Sequence, residues 1–360
     1  MTNLPSSPAV RSALQPFVDE GILAGAVALS ASAQGIVSLD CVGFENLSTK
    51  APMQPGSMFW IASQTKPITA AALMMLVDEG KLSIDDPVVK FIPEFANQWL
   101  AVEQDEEHIL LKKPVNSMTV RHLLTHTNGM PFRSAIEDPT LDFLPLRESV
   151  ISYTMTPLQS EPGTHVAYSN AGINTAGRLI ELLSGVKYVD FMQTRLFDPL
   201  GMTDTTFWPN EEQLERLAQP YRPNEETGIL ETGPIPQLQY PLSNPARTPM
   251  AAGGLFSTAY DISRFCRMFL NLGELDGHRY LTEATVRDMT RKQTDDAVED
   301  KVGLGWFLFD DHYDHSGALS SNMSLYPNMD RALIYLVQHA GFAGNGAEAR
   351  SRFTAAALES

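Results

Sequence analysis

Cysteine is nearly missing from this chain: Cys41 and Cys266 are the only two. Two cysteines cannot build the dense disulfide framework of a small secreted domain. One falls in a strand-like run and the other on the apolar side of a predicted helix, so two buried free thiols are expected. Positive charge is scarce too. Lysine and arginine number 26 against 43 aspartates and glutamates, for a net charge of −17. That balance argues against nucleic acid or anionic membrane as partners and for simple solubility. No run of eighteen apolar residues occurs, so no membrane span is expected. The opening MTNLPSSPAVRSALQPFVDEG has no basic start followed by an apolar core, and a cytoplasmic location is expected. No serine lies in a Gly-x-Ser-x-Gly elbow, which leaves a conventional α/β-hydrolase a poor fit.

What is present is an enzyme-sized globular composition, 43% hydrophobic and 19% charged over 360 residues. That length exceeds the usual ceiling of about 250–300 residues for one hydrophobic core, so two lobes are expected. The chain is organised around residues 59–81, FWIASQTKPITAAALMMLVDEGK. Pro67 belongs in the first turn of a helix, which places the helix start close to Ser63. The run from Ile68 to Val77 is apolar on almost every face, the mark of a buried helix. Gly80 is placed for a left-handed cap at its end. Residues three apart share a helical face, so the Lys66 amine reaches the Ser63 hydroxyl. Burial favours the neutral amine, and the helix start offers free N–H groups to an oxyanion. The pair reads as an activated serine nucleophile. Ser184-Gly185-Val186-Lys187 repeats the spacing, but there the serine ends a helix and Gly185 breaks it.

Residues 8–20 read as an amphipathic helix, followed by strand-like runs at 26–32 and 36–43. From about 93 to 249 the pattern shifts to helices and long loops, with a short helix at 119–127 and a longer one at 169–184. In the short helix His122 and His126 stand four apart, a zinc-like spacing with no glutamate base between them, and a structural role is the simpler reading. Residues 209–247 form a proline-rich excursion that could wall a pocket. Helices at 259–272 and 283–291, strands at 303–309, 315–324 and 332–338, and a closing helix after Gly346 complete the chain. Strands at both ends suggest one antiparallel sheet built from both termini. The acidic cluster at 310–315 admits a metal site, although a polar hairpin loop explains it more simply.

Two further groups carry chemistry. Tyr168-Ser169-Asn170 opens the 169–184 helix. A tyrosine near an amine can have its pKa lowered and act as base or proton shuttle, while Asn170 can bond both a lysine and a substrate carbonyl. His315-Ser316-Gly317 opens a strand near the C-terminus. Gly317 lets a substrate approach the backbone closely, and the Ala318 N–H could complete an oxyanion hole with that of Ser63. Tyr326-Pro327-Asn328 and His339-Ala340-Gly341 match the same patterns, but in a turn and after the last strand.

Ser63-Gln64-Thr65-Lys66, Tyr168-Ser169-Asn170 and His315-Ser316-Gly317, in that order, resemble the three motifs of the serine β-lactamase and penicillin-binding protein superfamily. The Tyr-x-Asn form is similar to class C β-lactamases, D-stereospecific peptidases and the related family VIII esterases. HLLTHTNGMP at 122–131 and GGLFSTAYDISRF at 253–265 look like further signatures, so the resemblance covers nearly the whole chain. It implies an α+β fold, an antiparallel sheet flanked by helices with an inserted helical lobe. Residues 1–92 and 250–360 would form the α/β lobe, and 93–249 a mainly helical lobe with long loops. Ser63 would be the acylated nucleophile, Lys66 and Tyr168 its base pair, and Asn170 a positioner of Lys66 and the acyl group. His315, Gly317 and Ala318 would border the substrate. No cofactor or metal is implied, and the partner is a small ester or amide substrate. The departure is His315. Class C enzymes carry a lysine there, whereas histidine resembles D,D-carboxypeptidases and D-aminopeptidases, so efficient β-lactam hydrolysis is doubtful. A ligand sensor that kept the fold without turnover is the non-enzymatic alternative. Arg247 is the cation best placed in sequence to replace the missing charge.

Overall fold

The computed structural model describes residues 5–359. One antiparallel sheet of seven strands dominates it: β1 (Gly25–Ala31), β2 (Ile36–Asn46), β3 (Ala51–Pro52), β4 (Phe307–Leu308), β5 (Tyr313–Ser316), β6 (Asn322–Tyr326) and β7 (Arg331–Leu336). Their order is β4-β5-β6-β7-β1-β2-β3. The last strand therefore pairs with the first, Leu29 opposite Ile334, and the sheet draws on both ends of the chain. Among the described residues the five helices longer than ten residues are α1 (Pro8–Asp19), α2 (Thr65–Asp78), α3 (Asn170–Ser184), α4 (Ala259–Leu270) and α5 (Glu348–Leu358).

Side-chain alternation explains the layers. Val27, Leu29 and Ala31 of β1 join Ile334 and Leu336 of β7 in the core beneath α2 and α4. Ala26, Ala28, Leu333 and Tyr335 point the other way, onto Val10, Leu14 and Phe17 of α1 and Phe353 of α5. With helices on both faces, β1 is buried at all seven positions. The larger core continues without a break from the sheet through α2 to Ile173, Ala176 and Ile180 of α3. As its composition demands, α2 is buried from Thr65 through Leu76. It stops where expected: Gly80 has φ +70°, and the Lys81 N–H bonds back to the Leu76 carbonyl at 3.0 Å.

Several expectations need correction. The strand expected at 315–324 is two strands, β5 and β6, separated by a turn in which the Gly317 N–H bonds to the Ser321 carbonyl at 2.7 Å. Of the strand at 303–309 only Phe307–Leu308 pairs. Within 93–249 the pattern missed a hairpin, Leu100–Gln104 with Ile109–Lys112, and the helix Leu146–Thr154. Cys266 is buried as expected, but Cys41 is only half-buried on β2. The decoys stand apart: Gly185 caps α3 at φ +78°, Pro327–Met329 is a turn, and His339 accepts the Ala24 N–H at 3.1 Å.

Candidate active site

Ser63 stands where an extended segment turns into α2. Phe59–Trp60 pairs with Phe256–Ser257, a 3-10 turn spans Ala62–Gln64, and α2 begins at Thr65. Ala62 is forced to φ +47°, a left-handed conformation costing a residue with a Cβ on the order of 1 kcal/mol. Neighbouring bonds hold the strain. The Ile61 N–H reaches the Leu255 carbonyl at 3.0 Å, and the Trp60 indole N–H reaches the Gly253 carbonyl at 2.8 Å. From residue 57 to 76 every residue is buried except Ser63. The turn thus presents one hydroxyl at the surface of an otherwise closed core.

Lys66, one turn on, is fully buried. Its Nζ lies 2.7 Å from Asn170 Oδ1, 2.7 Å from the Ala252 carbonyl and 3.1 Å from Ser63 Oγ. No carboxylate is near it, and burial alone drives its pKa well below the usual lysine range. A neutral amine has two N–H donors and one lone pair. Asn170 Oδ1 and the Ala252 carbonyl can only accept, so they take both donors. The lone pair is then left for the Ser63 hydroxyl, which donates to it. The Ala252 carbonyl is itself fixed from α3: its own N–H bonds to Asn174 Oδ1 at 3.0 Å, while Thr69 Oγ1 holds the Ala251 carbonyl at 2.7 Å. The sequence reading missed Asn174 and the Ala251–Ala252 backbone.

Tyr168 precedes the Ser169 cap of α3 and keeps 37% of its surface exposed. Its ring lies 4.5 Å from Lys66 Nζ. Here the expected lowering of its pKa fails. Burial raises the phenol pKa, and a hydrogen bond with Ser63 offsets only part of that. Burial thus favours the neutral form of both groups, and a neutral lysine would offer no charge to stabilise a phenolate.

His315 closes the far side, its ring 6.1 Å from that of Tyr168. Its Nδ1 lies 2.8 Å from the Ser316 carbonyl and so carries the proton. Burial is the chief reason its pKa falls, to about 3. The structure thus extends the expected neutrality of this histidine far below pH 7. Gly317 admits a different neighbour from the one expected. A Cβ there would stand 2.6 Å from the Ile61 carbonyl, so its missing side chain makes room for the loop carrying Ser63. That contact brings the exposed Ala318 near the helix start. Among the described residues neither the Ser63 N–H nor the Ala318 N–H finds an acceptor.

His126, weighed in the sequence only as a partner of His122, packs against Tyr168 with ring centroids 4.8 Å apart. The two histidines diverge, since His122 Nδ1 accepts the Thr119 N–H at 3.2 Å within its own helix cap. Arg247 is a second correction. It is buried in an ion pair with Asp142 at 2.7 Å and donates to the carbonyls of Leu242 and Phe207. At 2% exposed it is a buried structural cation and not a free charge at the cleft surface. The acidic loop also disperses: Asp310 pairs with Lys301, Asp311 with His312, and Asp314 accepts from Asn322. The excursion at 209–247 does reach the site, for Ile235, Leu238 and Leu242 pack with Ala62 and Leu319.

A seven-stranded antiparallel sheet with helices on both faces, and a serine at the head of a buried helix that passes under it, define the β-lactamase/transpeptidase-like fold. The solved structure titled EstCE1, a hydrolase with promiscuous acyltransferase activity, superposes with a TM-score of 0.82 over 97% of both chains at 20% identity. Residues 10–357 match the Beta-lactamase family, and the chain belongs to it. An uncharacterized protein of Mycobacterium tuberculosis is 30% identical across 91% of this chain and 89% of its own. The lovastatin esterase of Penicillium rubens is 30% identical across 71% of this chain and 66% of its own.

Proposed function

We propose that this protein is a serine hydrolase working through an acyl-enzyme on Ser63, and that it cleaves short esters, or amides without a free carboxylate. One observation carries the reading: Lys66 is buried without a counter-ion, and its two N–H groups are occupied by Asn170 and Ala252. Its lone pair therefore faces the Ser63 hydroxyl. In acylation Ser63 Oγ bonds to the substrate carbonyl carbon as its proton passes to Lys66. The free N–H groups of Ser63 and Ala318 are suited to receive the oxyanion. Tyr168 gives its phenolic proton to the departing alcohol or amine and recovers one from Lys66. Water then attacks the acyl carbon and gives a proton to Lys66, the ester bond to Ser63 breaks, and Lys66 passes that proton to Ser63 Oγ as the carboxylic acid leaves. In this reading residues 1–92 with 250–360 form one lobe, 93–249 the other, and the substrate lies between them.

Substrate class follows from charge. Burial favours the neutral forms of Lys66 and His315, and Arg247 is paired with Asp142. A substrate carboxylate beside Ser63 would find no standing cation for a charge-assisted bond, and such bonds are roughly twice as strong as neutral ones. Esterase action is the favoured reading, supported by the esterases among the relatives. The histidine in the third motif keeps a D-aminopeptidase or D,D-peptidase as the second reading. The test compares kcat/KM for p-nitrophenyl butyrate and a chromogenic cephalosporin on one preparation, with Ser63→Ala as control. The ester is expected to win by roughly one or two powers of ten, and Ser63→Ala to lose nearly all turnover. A cephalosporin value equal to the ester value makes this a true β-lactamase. Stoichiometric acylation without turnover makes it a sensor.

A further inference from the structure

Three bonds and contacts of His126 converge on Tyr168. The His126 carbonyl accepts the Ala167 N–H at 2.8 Å. Its Nδ1 accepts the Ser169 N–H at 3.3 Å. Its ring lies against the phenol ring, 4.8 Å between centroids. The residues before and after Tyr168 are thus both tied to His126, and the tyrosine side chain packs on it. On the other side of His126 stands Phe307, with ring centroids 6.0 Å apart. His126 itself is 1% exposed and sits at φ +57°. That region is uncommon for residues other than glycine and asparagine, and strained backbone of this kind clusters at functional sites. Since Nδ1 accepts, the single proton of the neutral ring is on Nε2. Nε2 is buried and has no partner among the described residues, so the imidazole is not kept for a bond on that side.

Tyr168 needs such a clamp. It lies in the chain segment just before α3 and is more than a third exposed, and Ser63 is the partner of its phenol. Without a fixed backbone on both sides, the phenol would swing off the serine. We infer that His126 is a positioning residue for Tyr168: it holds the phenol at Ser63 through its carbonyl, its Nδ1 and its ring, and touches neither substrate nor nucleophile. This rests on reading Ser63 as nucleophile and Tyr168 as proton donor.

A histidine that merely fills space would, when replaced, lower stability and leave kcat alone. A positioning residue changes kcat through Tyr168, so a double-variant cycle separates the two. His126→Ala, checked for folding by circular dichroism, is expected to lose roughly tenfold to a hundredfold in kcat, the scale of an ångström misplacement, with KM little changed. Tyr168→Phe combined with His126→Ala should lose no more than Tyr168→Phe alone, because the clamp then has nothing to hold. His126→Asn supplies an Oδ1 acceptor for the Ser169 N–H and tolerates left-handed backbone, so its kcat should exceed that of the alanine variant. If the alanine variant does not fold, His126→Phe, which keeps the ring and loses the acceptor, runs through the same cycle. An unchanged kcat in a folded variant, losses that multiply in the double variant, or an asparagine variant no better than alanine would each overturn the inference. Full activity in Ser63→Ala would instead overturn the mechanism on which it rests, and that control is read separately.

Discussion

Replacing Lys66 by methionine asks whether the buried amine is a free base in the native protein. In the unfolded chain a lysine stays protonated up to about pH 10.4. In the folded chain the same amine is fully buried without a carboxylate, and its pKa is lowered well below that value. Between the native and the unfolded pKa, the unfolded state therefore holds one proton that the native state lacks. Stability then rises with pH across that interval by about 1.4 kcal/mol per unit, and becomes flat above the unfolded pKa. Methionine is similar in length and does not titrate. At each pH between the native and unfolded pKa values wild type should gain about 1.4 kcal/mol per pH unit over Lys66→Met. For 360 residues, at roughly 2.1 cal/mol/K of unfolding entropy per residue, that is about 2 °C of relative Tm per pH unit if the chain unfolds as one unit.

The sign at a single pH is not the test. Methionine also leaves Asn170 Oδ1 and the Ala252 carbonyl without their donor, at about 1–3 kcal/mol each, and that opposes the relief of deprotonation. The pH slope is free of this offset. Cys41, Cys266 and the buried tyrosines titrate alike in both proteins and cancel. His315, at about 3, and His126, lowered below the usual histidine value, titrate beneath the window. Paired urea melts at pH 7, 8 and 9 give the difference directly, and the pH where it starts to climb reads the native pKa. Parallel curves would mean that native Lys66 is charged, and a charged lysine cannot take the Ser63 proton.

Tyr168→Phe should keep the fold and reduce kcat by at least about a hundredfold, in line with general acid–base contributions of 10²–10⁴; near-normal turnover would make the motif structural. Arg247→Met leaves Asp142 as an uncompensated buried charge, and should cost about 3–5 kcal/mol in denaturant melts. The ratio of rates on neutral and carboxylate-bearing substrates should stay the same in that variant, and a shift in the ratio would restore Arg247 to the site.

Legibility in the sequence divides along chemical lines. Ser63, Lys66 and the buried helix behind them could be read because Pro67 and Gly80 mark the helix limits and an apolar run fills the space between. The sheet could be read because β1 and β7 are short apolar runs that find helices on both faces. The strand from 315 to 324 was over-read because each of its residues tolerates extended backbone, and Gly317 was taken as an approach point when it also begins a turn. Arg247 looked available because its partner Asp142 lies 105 positions away, a distance no local pattern reports. The Ala252 carbonyl was invisible for another reason: main-chain acceptors have no side-chain signature, although this one takes a hydrogen bond from Lys66 Nζ at 2.7 Å. His126 is visible in the sequence as half of a zinc-like spacing for which a structural role is the simpler reading, but no contact with Tyr168 can be read there. Its clamp on Tyr168 depends on a left-handed backbone that sequence does not encode in any single letter.

The way Lys66 is made a base also bears on what the site accepts. Its amine is pushed toward the neutral form by desolvation and not by a neighbouring cation that repels its proton. Neutrality obtained in this way is reversible by any anion brought near, since an opposite charge within about 4–6 Å raises a base's pKa by roughly one to three units. A substrate carboxylate beside Ser63 would therefore favour a proton on Lys66 and take away its lone pair, whereas His315, starting from about 3, would stay neutral at pH 7. A neutral ester leaves the amine as it is. Selectivity against carboxylates thus needs no repelling residue in the cleft. It follows from having built the base by burial, and the ester–cephalosporin comparison measures the same property that the Lys66→Met melts do.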